Sequence, residues 1–484
     1  MNWTPKPALS ESEVEKGMKV MIVDGLASET MTTLTGGTFL VAMALLAGAN
    51  NFEIGLLAGL STATNLLQLT SIWLCRKIQS KKLLCVILSV SARIPLLIIG
   101  LLALTLEHFS FTMMISMLFF HYAFGSVSGP IWNAWVKELV PVATLGTYFS
   151  RRSSYMQMLN VMLGLTAAFL IDHVKEHYAY FEQKTYGCMF IVAGLVGIAG
   201  AISLGRSPEP ATVVSTENIF TLLRKPLKDM NFRRLLAFNS IWVFAVNIAT
   251  PFFTVFMMKS LGLSLSFILV LVTTSQVFSI LTIRVWGKYA DRFSNKNIIA
   301  LGGPLYMLCL VAWCFVGLNP SETVNYSLLF IIHACMGMAN AGINLSLTNI
   351  SLKLSPSSEA VIYLSARNIV TSVFSAVAPI VGGLLVDFFS DRSLNVRVQW
   401  TGPTAEKNIY LINLHEWNFI FMIGALIALV SLEVLIRIKE KGEVEKGQMV
   451  RILRGNIKNT FKDYFIISQI LSLRESIIEK IRKH

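Results

Sequence analysis

Charge is scarce in this chain. Asp, Glu, Lys and Arg make up only 14% of its 484 residues, while 54% are hydrophobic and the mean hydropathy is +0.61. So few charges cannot cover a water-soluble globule of this length, and lipid must cover much of its surface. Cysteine is also rare. Cys75, Cys85, Cys188, Cys309, Cys314 and Cys335 sit in or beside apolar runs, with no CxxC pair and no histidine cluster near them. They read as unpaired small apolar residues, which excludes a disulfide framework and a zinc-type site. No GxxxxGKS/T loop is present, so a built-in ATPase is not expected. Nor is there a grouping of nucleophile, base and acid, so the chain does not read as an enzyme. The first 27 residues carry Lys6, Glu11, Glu13, Glu15, Lys16, Lys19 and Asp24 and hold no apolar stretch. A cleaved signal peptide is therefore not expected.

What the chain has in abundance is long apolar runs. A helix that crosses a bilayer needs about 20 mostly apolar residues, because no water is there to satisfy its backbone. Twelve runs meet this requirement: 28–48, 54–75, 83–105, 111–136, 153–172, 187–205, 234–258, 264–286, 297–317, 327–352, 369–389 and 418–437. Links such as Gly48 to Glu53 and Leu106 to Ser110 are too short to hold a domain, so consecutive helices are antiparallel neighbours. The pattern predicts an all-α membrane protein: an N-terminal segment 1–27, a six-helix bundle 28–205, a linker 206–233, a second six-helix bundle 234–437 and a tail 438–484. The linker mixes prolines, polar residues and a basic cluster, and reads as a tether.

A net charge of +13 raises the question of nucleic acid, but its placement answers it. With both termini in the cytoplasm, 34 of the 41 Lys and Arg fall in cytoplasmic segments, six in external ones and one, Arg93, inside a span. That asymmetry is the positive-inside bias of an inner-membrane protein with both termini cytoplasmic. The expected partners are the lipid bilayer and a small-molecule solute, not nucleic acid, and the chain is expected to be monomeric. No cofactor is implied beyond a coupling ion, proton or sodium.

The two halves repeat at an offset of about 215 residues. PVATLGTYFSRR contains Pro141, Tyr148, Ser150 and Arg152, and PSSEAVIYLSAR contains Pro356, Tyr363, Ser365 and Arg367. Leu170 and Asp172 match Leu385 and Asp387 at the same offset. Apolar composition alone does not align a Pro, a Tyr, a Ser, an Arg and an Asp, so two parallel six-helix repeats are expected. Between the eighth and ninth runs stands GKYADRFSNK, with Gly287, Asp291, Arg292 and Lys296. This resembles the cytoplasmic-loop signature of the major facilitator superfamily. The first-half loop, SIWLCRKIQSKK, keeps Arg76 but has Ser71 for the glycine and Cys75 for the acid, whereas most members carry the better copy there.

The resemblance implies a fold of two pseudo-symmetric six-helix bundles. It also implies that Asp291 faces the cytoplasmic end of a helix in the opposite half, by symmetry the fifth, while that side is shut. A carboxylate is drawn to the partial positive charge of a helix N-terminus, so Gly287, Asp291, Arg292, Lys296, Arg76, Arg152 and Arg367 become candidates for gating. With Cys75 in place of an acid, one of the two latches is expected to be weak.

Ionisable and amide side chains at mid-depth are costly and normally face protein or a water-filled cavity. Arg93 stands about ten residues into its run, a depth of roughly 15 Å. It reads as an anchor for an anionic solute or a partner in a coupling pair, and alternatively as a structural arginine bonded to nearby backbone. No Asp or Glu falls at mid-depth in any of the twelve runs, so proton coupling is expected to use His121, His333 or an acid at a helix end. Asn65, Gln68, Asn160, Asn247, Gln276, Asn340 and Asn344 are candidates to line a moderately polar cavity or to join helices, Asn340 and Asn344 sharing one face. Trp132 and Trp135 read as an interfacial belt. The pairs Gly36/Gly37, Gly125/Gly129 and Gly382/Gly383 read as close helix crossings. From Lys446 onward, apolar residues recur every three to five positions among basic ones, as in an amphipathic helix lying on an anionic leaflet.

The function this supports is secondary transport of a small solute, anionic or polar, by alternating access between the halves. The rival is a protein of this fold that senses, chaperones or handles lipid, because fold alone does not fix function.

Overall fold

The computed structural model describes residues 4–7, 9–78, 80–107, 109–141, 144–211, 219–318, 321–356, 360–401 and 406–440. Eleven helical segments among them are long and apolar enough to cross a membrane. The first is α1 (Glu11–Thr35) continued by α2 (Gly37–Leu46). The others are α5 (Lys81–Thr105), α6 (Phe111–Leu139), α7 (Leu145–His177), α8 (Glu182–Leu204), α10 (Met230–Asn247) with α11 (Thr250–Lys259), α12 (Leu265–Phe293), α13 (Asn295–Trp313), α14 (Glu322–Leu354), α15 (Ala360–Phe389) and α16 (Trp417–Ile436). One more run, α3 (Asn51–Thr64), a 3-10 turn (Asn65–Leu69) and α4 (Thr70–Lys77), is broken into pieces and escapes that count. With it the crossings number twelve, as the apolar pattern predicts. The short helix α9 (Ile219–Lys228) lies in the linker.

The first crossing corrects the sequence reading. Its helix begins at Glu11, not near residue 28, because Ser10 and Glu13 form a reciprocal capping box that starts it early. It then continues through charged residues because Met21, Asp24, Gly25 and Ala27 are buried against protein and not against lipid. Most of the expected N-terminal segment therefore belongs to the first bundle. The stretch after α15 is likewise more ordered than a link: β1 (Ser393–Thr401) and β2 (Glu406–His415) pair antiparallel, with a bulge between Val396 and Arg397. The amphipathic pattern of the tail lies outside the described residues.

Apolar burial does not draw helices together in lipid, so close backbone packing must. The two halves meet where α3 lies along α15 and where α7 lies along α12. A β-carbon on Gly55 would stand 2.2 Å from the Pro379 carbonyl oxygen, one on Gly59 2.4 Å from that of Ala376, and one on Gly383 2.4 Å from that of Asn51. Side chains there would push the halves apart.

Carboxylates on helix N-termini complete the frame. At the face that carries the chain's N-terminus and the linker, Glu209 accepts from Ser80 Oγ at 2.7 Å and from the Lys82 amide at 3.2 Å at the start of α5. In the second half Glu440 accepts from the Asn295 amide at 3.2 Å, the Lys296 amide at 2.8 Å and Lys353 Nζ at 2.9 Å at the start of α13. Burial raises the Glu440 carboxyl, but the bonds from Lys353, Asn295 and Lys296 outweigh it and hold it below its ordinary value. At the opposite face the acids bridge the halves. Asp172 on α7 accepts from the Leu265 and Ser266 amides of α12 at 3.0 and 2.8 Å. Its repeat mate Asp387 on α15 accepts from Asn51 Nδ2 and the Phe52 amide of α3 at 2.8 and 3.1 Å. The two acids aligned in the sequence are thus a pair of symmetric latches across that far face.

The loop acid is in the other situation. Asp291 and Arg292 are exposed, and the carboxylate makes no hydrogen bond among the described residues. The far latches are closed, whereas Asp291 caps no helix of the opposite half among the described residues.

Breaking the far latches should release that face. Each carboxylate at a helix N-terminus contributes on the order of 1 kcal/mol, so Asp172→Asn combined with Asp387→Asn should shift the balance toward far-face opening by about tenfold or more. A single cysteine at Val272, in a background without the native cysteines, should then react faster with reagent added at the far face. Unchanged reactivity in the double variant would dismiss the latches.

Candidate functional site

Two polar cavities lie along the first crossing. The larger, about 440 Å³, is enclosed by the first half alone and is lined by Asp24, Asn65, Arg93, His121, Trp132 and Arg152 among others. The second, about 380 Å³, lies between the halves, with Glu29, Gln157 and Asn160 from one side and Ser275, Gln276, Ser279 and Asn340 from the other. A smaller space of about 240 Å³ shares Asn160 and Gln276 with it.

These cavities overturn the expectation that no acid lies at mid-depth. Because α1 starts at Glu11, Asp24 and Glu29 fall well inside the first crossing. The apolar-run criterion placed one at a span end and passed over the other. The signal was there: Ser10 and Glu13, three residues apart, are a helix-start signature. Glu29 accepts from Asn160 Nδ2 at 3.1 Å, and the same amide donates to Thr33 Oγ1 at 2.9 Å. Asp24 is 4% exposed, and its nearest opposing charges are Arg93 and Arg152.

Arg93 is held on several sides. Its Nη1 donates to the Ser89 carbonyl at 2.6 Å and Nη2 to Ser28 Oγ at 3.2 Å. Its stem lies so close to α8 that a β-carbon on Gly197 would stand 3.0 Å from Cγ. Its Nε and Asp24 Oδ1 are both buried without a hydrogen-bond partner. His121 Nδ1 donates to the Ala92 carbonyl at 2.6 Å, since a carbonyl can only accept, which leaves Nε2 as the acceptor when the ring is neutral. His333 is bonded to the Leu329 carbonyl at 2.9 Å and packs 5.5 Å from the Trp313 ring, as a structural histidine does.

The remaining candidates divide. Asn65 joins Arg93 and His121 around the first-half cavity, and Gln276 and Asn340 join Glu29 around the other. Gln68, Asn247 and Asn344 line none of the three cavities described. Asn247 instead donates to the Val243 carbonyl of its own helix at 2.8 Å, and Asn344 is exposed. Among the gating candidates, Arg367 donates to the Leu347 carbonyl and to Ser351 Oγ, each at 3.0 Å. Lys296 Nζ reaches the Ile436 carbonyl at 3.1 Å. Arg76 is exposed, and a β-carbon on Gly287 would meet only Leu345, at an ordinary 3.8 Å.

Two further expectations are corrected. Trp135 is fully buried and donates to the Pro208 carbonyl at 3.0 Å, and Trp132 lies under the Arg152 guanidinium at 4.7 Å, so neither belongs to an interfacial belt. Gly125 and Gly129 have no neighbour where a β-carbon would stand. They leave the wall of the first-half cavity bare and do not form a helix crossing.

The sequence as a whole matches the family model of the Major Facilitator Superfamily over residues 26–360 and 235–473. The chain belongs to that superfamily. It is a transporter that works by alternating access, and Glu29, Asn160, Gln276 and Asn340 border the cavity between its halves. Solved structures share its fold. A mutant of the nucleoside transporter NupG is 13% identical with a TM-score of 0.64, covering 88% of this chain and 100% of its own. An auto-inhibited POT family peptide transporter is 8% identical with a TM-score of 0.63, covering 89% and 99%. A bacterial homologue of the human lysosomal transporter Spinster, inward-facing and unoccupied, is 14% identical with a TM-score of 0.58, covering 89% and 96%. No curated protein matches the chain.

Arg93 should prove to be a neutralising anchor for Asp24. Arg93→Gln should lower stability by about 3 kcal/mol, because it strands a buried carboxylate, whereas Arg93→Gln with Asp24→Asn should recover much of the loss. Thermal denaturation in detergent measures both. No recovery in the double variant would separate the two residues.

Proposed function

We propose that this transporter couples a small polar solute to the movement of protons, with Glu29 as the group that takes up the proton. The observation that carries this reading is the position of Glu29. It is the acid lining the cavity between the halves, half-way along the first crossing, hydrogen-bonded to Asn160 and facing Gln276 and Asn340 across the gap. An intramembrane carboxylate is costly and so marks a functional site, and a proton neutralises it without changing the shape of the site. The amides opposite supply donors and acceptors for a polar solute. Fold relatives that carry nucleosides or peptides handle solutes of this kind.

The chain sits in the inner membrane with its termini in the cytoplasm, a reading supported by the uneven distribution of Lys and Arg. On that orientation the closed Asp172 and Asp387 latches are external and the cavities empty toward the cytoplasm. A cysteine replacing Trp400 in β1 should react with impermeant reagent added outside intact cells. Reaction only after permeabilisation would reverse the orientation.

The coupling is tested in proteoliposomes with a solute found by thermal-shift screening. A pH gradient should drive uphill uptake and a sodium gradient should not. Glu29→Gln should abolish uphill accumulation while counterflow stays within about threefold of the native rate, because exchange needs no net proton movement. Undiminished accumulation by a well-folded Glu29→Gln protein, or sodium-driven uptake, would remove Glu29 from the coupling step.

A further inference from the structure

The two repeat-related arginines are used differently. In the second half, Arg367 spends its guanidinium on α14: Nη1 on the Leu347 carbonyl and Ser351 Oγ, and Nη2 on Asn368 Oδ1 at 3.4 Å. At the repeat offset of 215, the positions facing Arg152 are Trp132 and Val136. Valine has no hydroxyl to match that of Ser351, and the indole adds a ring face where leucine has none; the Leu347 partner is its backbone carbonyl. Arg152 accordingly lies with Cζ 4.7 Å over Trp132. On its other side is Gly25, where a β-carbon would stand 2.7 Å from Nε and 2.8 Å from Nη2. Its Nε reaches the Met21 carbonyl at 3.4 Å, while no hydrogen bond engages Nη1 or Nη2 among the described residues. The guanidinium is pinned between a ring and a bare backbone, and its fork borders the 440 Å³ cavity.

Charge balance points the same way. Asp24 and Arg93 are each other's leading electrostatic partner, which leaves Arg152 as the surplus charge of that cavity. Neither Asp24 nor Glu29 closes an ion pair with it among the described residues, although both lie within its field. A surplus guanidinium in a low-dielectric pocket with its planar fork free is suited to a bidentate oxyanion. We propose that Arg152 binds an oxyanion of the transported solute, a carboxylate or phosphate monoester, so that the solute is an organic anion. This deepens the transport reading above by naming the substrate class, and it gives Arg152 the anchoring role expected of Arg93. Arg93 gives its terminal nitrogens to Ser89 and Ser28 and has Asp24 as its leading opposite charge, and the missed signal was the loss of the serine at the repeat position held by Val136. The cavity is large enough for a metabolite of a few hundred daltons.

The test is equilibrium binding to detergent-purified protein, which does not depend on proton coupling. Gluconate, glucose 6-phosphate and glucose share a six-carbon polyhydroxy chain, open in gluconate and ringed in the other two, and carry a carboxylate, a phosphate monoester and no charge; acetate and inorganic phosphate are the minimal oxyanions. Melting temperature should rise with the anionic probes and not with glucose, and the better of gluconate and glucose 6-phosphate distinguishes carboxylate from phosphate. In Arg152→Gln the half-saturating concentration should rise at least about tenfold, and in Arg152→Lys less, because the charge remains and the fork is lost. Trp132→Leu with Val136→Ser removes the ring over Arg152 and supplies the hydroxyl that Arg367 finds in Ser351. It should weaken anion binding with Arg152 still present, which guards against a variant that merely folds poorly. Equal anion responses in the native and Arg152→Gln proteins, or a response to glucose alone, would overturn the proposal. Anion binding that survives while Glu29→Gln still accumulates solute would sink the coupling reading and leave this one standing.

Discussion

A carboxylate seated on the N-terminus of a helix is the interaction on which the rest of this molecule depends. Four of its occurrences, in two symmetric pairs, build the frame. Glu209 and Glu440 cap the starts of α5 and α13 inside their own halves. Asp172 and Asp387 cap α12 and α3 of the opposite half. The chemistry is the same in both pairs, but the consequences differ. The first pair makes each half a rigid body, and the second ties the rigid bodies together at one face only. Such contacts are weak individually, about 1 kcal/mol, which suits a joint that must break and re-form in each cycle.

Rigid halves and a breakable seam are the physical requirement for alternating access. The seam itself is built from glycine. Gly55, Gly59 and Gly383 let α3 and α15 touch backbone to backbone near the far face, where Asp387 locks them. At the other end Asp291 is exposed, and the polar cavities lie on that side of the locks. The state observed, locked at the far face, is therefore one of the two that the cycle needs.

Function enters where the symmetry fails. Cys75 stands where the second half has Asp291, and Trp132 and Val136 stand where the second half has Leu347 and Ser351. The first half also carries both intramembrane acids, Asp24 and Glu29, on its first helix. Val136 removes the hydroxyl that Arg367 finds in Ser351, and the two acids stand where the second half has Asn239 and Phe244. The repeat supplies the frame, and its imperfections supply the site.

Apolar run length by itself determined the class, the number of crossings and their antiparallel order, because lipid leaves the backbone no alternative to a helix. The repeat in register paired Asp172 with Asp387 and Arg152 with Arg367, and the loop at Gly287 to Lys296 pointed to the superfamily. Run length could not find the start of α1, because a helix buried in protein tolerates charges that a lipid-facing one does not. That single boundary hid Asp24 and Glu29. Nor could sequence tell which polar side chains face a cavity. Asn340 and Asn344 share a helix face, yet only Asn340 borders one of the described cavities, and Arg93 and Arg152 are both membrane arginines, yet the first gives both terminal nitrogens to hydrogen bonds and the second gives neither among the described residues. Those outcomes depend on which neighbours the tertiary packing brings within hydrogen-bond distance, and no local pattern along the chain encodes a distance between helices.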